Sequence, residues 1–281
     1  MKQRIDTVDV QPHDMEGPIV KLNKSVEDKT LVITCFPSIG MVSSIVAHYL
    51  IDNLELEFVG GLVDERLPPI AILQDGVPLP PIRAYSGKQK CSIRGCDQVI
   101  LLMSELVVPD PLVQQMVWAL LDWSKENNIA AGVLIDAFAK EGMNANLDGT
   151  EPIIEYEDTE AIDIIGIGAN EATREMLNSM GIPLAQRGVV RGINGGILAE
   201  AMRRGIDTMS LMVEADPRYP DARAAAALIE QLNALLPSID LDHQPLLEEA
   251  IQLEESIKAM MEGVEISADG LSGGPNSMLY G

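Results

Sequence analysis

The stretch "LVITCFPSIGMVSSIVAHYLIDNL" constrains the fold of this chain more than any other. Residues 31–36 form a short apolar run rich in β-branched side chains, the pattern of a strand buried on both faces. The run breaks at Pro37-Ser38-Ile39-Gly40, and the apolar residues beyond it fall at helical spacing. Met41, Ile45 and His48/Tyr49 make one series, and Val42, Val46, Leu50 and Leu54 make a second that widens the buried face. A two-faced strand, a tight turn and an amphipathic helix open an α/β unit, which is complete only inside a layered sheet.

The alternation continues. Strand-like apolar runs recur at 98–106, 130–139, 162–169 and 208–215. Between them, Asp110 reads as an N-cap with Pro111 at the first helical position, launching a helix through Trp118, Leu121 and Trp123. Asn170 caps a helix that stops at Gly181, and Asp221 opens another that Pro237 ends. The stretch "EFVGGLVDERLPPIAILQDGVPLPPIRAYSG" breaks the rhythm. Its five prolines and Gln74-Asp75-Gly76-Val77 turn read as a hairpin. These elements predict one α/β domain over 31–237, a three-layer sandwich whose mixed, mostly parallel sheet is covered by helices on both sides. A polar leader, 1–30, precedes it, with Pro18-Ile19-Val20 available as an edge strand.

Two pieces follow the domain. Over 244–264, apolar residues at Leu246, Ala250, Leu253, Ile257, Met260 and Val264 step by four and three, predicting an amphipathic helix that packs on its own body or on another chain. Residues 265–281 begin as a Gly/Ser-rich tether that reaches about 20 Å as a coil and finish in Leu279-Tyr280-Gly281. An apolar pair beyond such a tether suits a peptide that enters a partner's pocket.

Charge narrows the partners. Asp and Glu number 43 against 20 Lys and Arg, a formal net charge of −23, and Arg203-Arg204 is the one basic doublet. Phosphate backbones and anionic lipids require clustered cations, so neither nucleic acid nor membrane is expected as a partner. No apolar run approaches the ~18 residues of a spanning helix, and the N-terminal residues lack a signal-peptide core, so a cytoplasmic protein is expected. The three cysteines, Cys35, Cys91 and Cys96, are an odd number and imply no disulfide framework. Cys91 and Cys96 lack zinc-site spacing, so no metal is expected.

No catalytic set stands out, and no cofactor is called for. His13 lies in the leader, His243 in a linker, and His48 within the first helix near its buried face. The best small-ligand candidates are two glycine turns that head helices, where free amides and a helix dipole would welcome an anion. One offers Ser38 and Gly40, the other Arg191, Asn194, Gly195 and Gly196. The same glycines also serve a close approach of helix to sheet, and both readings stand.

Four segments in order, "CFPSIGMVSSIVAHYLI", "RLPPIAILQDGVPLPPIRAY", "VVRGINGGILAEAMRRGI" and "EADPRYPDARAAAALIEQL", resemble the archaeal proteasome-assembly-chaperone family. Relatives usually carry Gly where this chain has Cys35 and Ser38. The resemblance implies a phosphorylase/hydrolase-like α/β sandwich and a non-enzymatic role in a homo-oligomer. It also implies binding to 20S proteasome α-subunits through a C-terminal hydrophobic-Tyr-any motif, which Leu279, Tyr280 and Gly281 match. The alternative function is a small-ligand protein or enzyme using the glycine turns.

Overall fold

The computed structural model describes residues 17–74, 76–89, 95–139, 162–236, 241–242 and 244–248, and the backbone of 144–146 and 153–155. In chain order the strands and helices are β1 (Ile19–Leu22), β2 (Leu31–Cys35), α1 (Val42–Asn53), β3 (Glu57–Val63), β4 (Ile72–Gln74), β5 (Val77–Leu79), β6 (Ile82–Gly87), β7 (Val99–Ser104), α2 (Asp110–Glu126), β8 (Ala131–Ala139), β9 (Asn144–Asn146), β10 (Ile153–Glu155), β11 (Ile164–Gly168), α3 (Glu171–Ser179), α4 (Gly192–Arg204), β12 (Thr208–Ala215) and α5 (Ala222–Leu232).

Every residue of β2 is buried, as a two-faced strand requires. It lies inside one mixed sheet of eight strands, ordered β1-β3-β6-β7-β2-β8-β12-β11. The four strands β7, β2, β8 and β12 are parallel. An antiparallel wing of β6, β3 and β1 flanks them on one side, and antiparallel β11 on the other. The α/β sandwich with a mixed sheet is thus as expected, and its parallel part is the centre. The apolar touch at Ile19-Val20 does become the edge strand β1. The hairpin at Gln74–Val77 is β4 with β5, a small separate ribbon.

Alternate residues of the central strands feed two cores. Leu31, Ile33 and Cys35 join α1, α5 and Leu177 of α3 on one face. Val32 and Phe36 join α2 and α4 on the other. This is the three-layer arrangement, with helices on both sides of the sheet.

Local chemistry sets several ends. Asn170 caps α3 in a reciprocal pair with Thr173, and Asp221 caps α5 by accepting from Ala224 N at 2.9 Å. The expected cap at Asp110 shifts by one residue. Pro109 is the N-cap, with no side-chain bond, and Asp110 occupies the first turn, where its charge meets the positive helix end. Consecutive Pro-Asp-Pro blurs the boundary, since either proline suits a helix entry. The cysteines also correct the sequence reading. Cys35 is free and buried, but Cys96 is disulfide-bonded, to a partner outside the described residues. An odd total argues only against a framework; one bridge needs two cysteines and leaves the third sealed in the core.

Beyond α5 the chain is fastened twice. Asn233 receives Leu241 N on Oδ1 at 2.9 Å and donates from Nδ2 to Leu241 O at 3.2 Å. Tyr49 Oη of α1 then donates to Asp242 O at 2.6 Å. Residues 244–248 are helical.

Candidate functional site

The parallel strands β2, β7, β8 and β12 end at one rim, where α/β sheets commonly hold ligands. The turn after β2 is built tightly there. Gly40 (φ 60°) and Met41 (φ 51°) are both left-handed. A side chain at Gly40 would press on Asp216 O at 3.0 Å and Asp221 Cβ at 3.0 Å, so only glycine fits without displacement. Asp221 N donates to Gly40 O at 2.8 Å, clasping this turn to the one between β12 and α5.

Ser38, by way of Ser43, and Asn194 reach the middle of β8 from opposite layers, level with the end of β2. Ser38 Oγ accepts from Ser43 N at 3.0 Å and lies 2.8 Å from Ser43 Oγ. Through Oγ, Ser43 can donate to Ile135 O at 2.9 Å, the carbonyl that Asn194 Nδ2 approaches at 3.5 Å. Asn194 also donates to Asp136 Oδ2 at 3.0 Å. Burial pushes the Asp136 carboxyl up, and the Asn194 hydrogen bond opposes that. The other sequence candidates stand apart from this pair. Arg191 is exposed at the head of α4. A β-carbon on Gly195 would lie 2.3 Å from Val190 O, and one on Gly196 would lie 2.8 Å from Val117 Cγ2 of α2. Both glycines therefore serve close packing. Ser38 spends the Ser43 amide internally, and Asp136 adds a carboxyl group at this rim.

Sequence reasoning missed a second constellation. Arg83 of β6 is buried to 1% side-chain exposure. It points into the α1 layer and forks onto Glu105, Nη1 to Oε2 at 2.8 Å and Nη2 to Oε1 at 2.5 Å. Its Nε donates to Tyr85 Oη at 3.1 Å, and Tyr85 donates onward to Gln74 Oε1 at 3.0 Å. His48 Nε2 lies 3.3 Å from Glu105 Oε1. Burial alone would push Glu105 up, but hydrogen bonds from His48 and Arg83, with the guanidinium charge, hold it at about 2. The available signal was Arg83 itself. It occupies an inward position of the apolar strand Ile82-Arg83-Ala84-Tyr85, where a charge demands a partner.

Glu105 and His48 open onto a cleft of about 530 Å³ between α1 and residues Pro245 and Leu246. Because the Glu105 pKa is depressed on folding, its contribution to stability is full above about pH 5. It is lost as pH falls from 4.5 towards about 2. The stability gap between the native chain and Glu105→Gln, measured by urea unfolding, is expected to shrink between pH 6 and pH 3. A gap constant with pH would refute the ionic role.

Comparison with known proteins follows from this architecture. The profile of the PAC2 family matches residues 32–261. The chain belongs to the PAC2 family. PbaA of Pyrococcus furiosus, described as an archaeal homolog of proteasome-assembly chaperone, is 25% identical with a TM-score of 0.73, over 90% of this chain and 95% of that one. PbaB of the same organism, described as an archaeal proteasome activator, has a TM-score of 0.68 over 88% of this chain and 100% of that one. At 18% identity it shows the shared fold alone. The uncharacterized protein MJ0106 of Methanocaldococcus jannaschii is 24% identical over 235 residues, 84% of this chain and 87% of that one. The rim and the α1 cleft are therefore features of a PAC2 body. Leu279, Tyr280 and Gly281 lie outside the described residues.

Proposed function

We propose that this PAC2 chain is a non-enzymatic, cytoplasmic chaperone or adaptor that binds 20S proteasome α-subunits through Leu279-Tyr280-Gly281. It assists assembly or modulates the gate. The observation that carries the reading is the likeness to PbaA, at 25% identity across nearly the whole of both chains. The Leu-Tyr-Gly sequence supplies the means. A Leu side chain and a Tyr ring fill an apolar pocket between subunits, and a carboxylate pairs with a cation at its edge. A homo-oligomeric body would present several copies, raising avidity without new contacts.

The experiment is affinity capture from the source cell's extract, using the native chain and Tyr280→Ala. The native chain should retain proteasome α-subunits, and Tyr280→Ala should retain at least tenfold less, with an unchanged circular dichroism spectrum. Equal retention by both would sink the tail mechanism.

A further inference from the structure

Helix α1 carries a second apolar stripe that the described body leaves partly open. Val42, Val46 and Leu50 are fully buried against the sheet. Met41, the N-cap, with Ile45 and Tyr49 at steps of four, lies about 100° round the helix from them, at the margin of the same core. Met41 is 53% exposed, and Ile45 and Tyr49 are half-buried. These three line the cleft described above, whose opposite wall is Pro245 and Leu246. The chain is led to that wall. Tyr49 holds Asp242, residues 244–248 turn into a helix, Leu246 is buried, and Leu247 packs partly on the same core.

We propose that the cleft is the dock of the chain's own residues 249–264, which extend the helix begun at 244 and lay Ala250, Leu253 and Ile257 on Met41, Ile45 and Tyr49. Three observations choose this occupant. Steps of four, three and four from Leu246 to Ile257 make an apolar stripe, flanked by Leu247 and Ile251, with Glu248 and Glu255 on the opposite side. That is the complement of the open stripe on α1. The lengths agree: Met41 to Tyr49 spans about 12 Å of helix and Leu246 to Ile257 about 16 Å, at about 1.5 Å per residue. Finally, the wall residues and the proposed occupant are contiguous in the chain. The segment arrives without the translational cost that a second copy or another protein must meet. The consequence is a fixed root for the tether, held on α1 rather than swinging from residue 248.

Photo-cross-linking tests this in the full-length chain. Leu253→p-benzoylphenylalanine is prepared in light and heavy nitrogen, mixed, irradiated and mapped by mass spectrometry. The expected product joins position 253 to residues 41–53 within one chain. Light–heavy products at α1 would assign the cleft to a second copy, and products that avoid α1 would leave the dock unused; either overturns the proposal. In a second measurement, full-length Leu253→Asp with Ile257→Asp should speed amide exchange across 42–53 about tenfold, with α2 unaffected. Unchanged exchange in α1 would also overturn it. Neither readout involves the proteasome, so failure here leaves the proposed function to be judged by its own capture experiment.

Discussion

Arg83→Met lowers the unfolding free energy by about 3–5 kcal/mol, the cost of breaking a buried ion pair from one side. The guanidinium is sealed under α1 at 1% exposure, while Glu105 is 25% exposed. Its removal leaves the carboxylate with His48 but no guanidinium, and it takes a donor from Tyr85. Urea unfolding at pH 7 measures the loss. Adding Glu105→Gln should recover part of it, because the unpaired charge is then gone, and the cycle of single and double variants isolates the pair. A loss below about 1 kcal/mol would place Arg83 among surface-like ion pairs and refute this account.

Gly61→Ala is expected to be nearly as damaging, for a reason in the backbone alone. Gly61 sits opposite Arg83 where β3 meets β6, just past the irregularity between Phe58 and Gly60. A β-carbon there would lie 2.0 Å from Ile82 O and 3.2 Å from Arg83 Cα. Neither atom can rotate away, so β3 must separate from β6 and disturb the strand that aims Arg83. Overpacking of this kind costs about 3 kcal/mol. Gly188→Ala is the control, because a β-carbon there meets nothing within 4 Å; it should change stability by less than about 0.5 kcal/mol. Equal unfolding midpoints for the two variants would show that the strand pair yields at little cost.

The layers of the sandwich were legible because strands and helices carry different apolar periods. The run 208–215 became β12 with those bounds, and Asn170 and Asp221 capped the helices assigned to them. Strand direction was less legible. Apolar residues on both faces mark burial and not orientation, so the antiparallel wing that turns Pro-rich residues 64–81 into part of the sheet's approach emerged only with the pairing. Ser38 and Asn194 were found because turns and helix heads leave local marks. That Ser43, the partner of Ser38, and Asn194 share Ile135 O depends on two layers closing on β8, which no local pattern encodes. Arg83 and Glu105 are 22 residues apart and join through the β6–β7 pairing. The sequence left two roles open for the glycines at 195 and 196, because glycine reads the same whether it admits a ligand or a neighbouring helix.

The double fastening at residues 241–242 has a mechanical meaning. A segment that grips a large partner transmits force back along its own backbone whenever the two bodies diffuse apart. Were the tail to grip a partner as proposed, tension on the chain beyond residue 242 would meet these contacts before it reached α5. Asn233 clamps both the amide and the carbonyl of Leu241, and Tyr49, from a different helix, holds the next carbonyl. Such a pull would be split between two helices and loaded across three hydrogen bonds at once, which would keep the body from being unravelled from its C-terminal side.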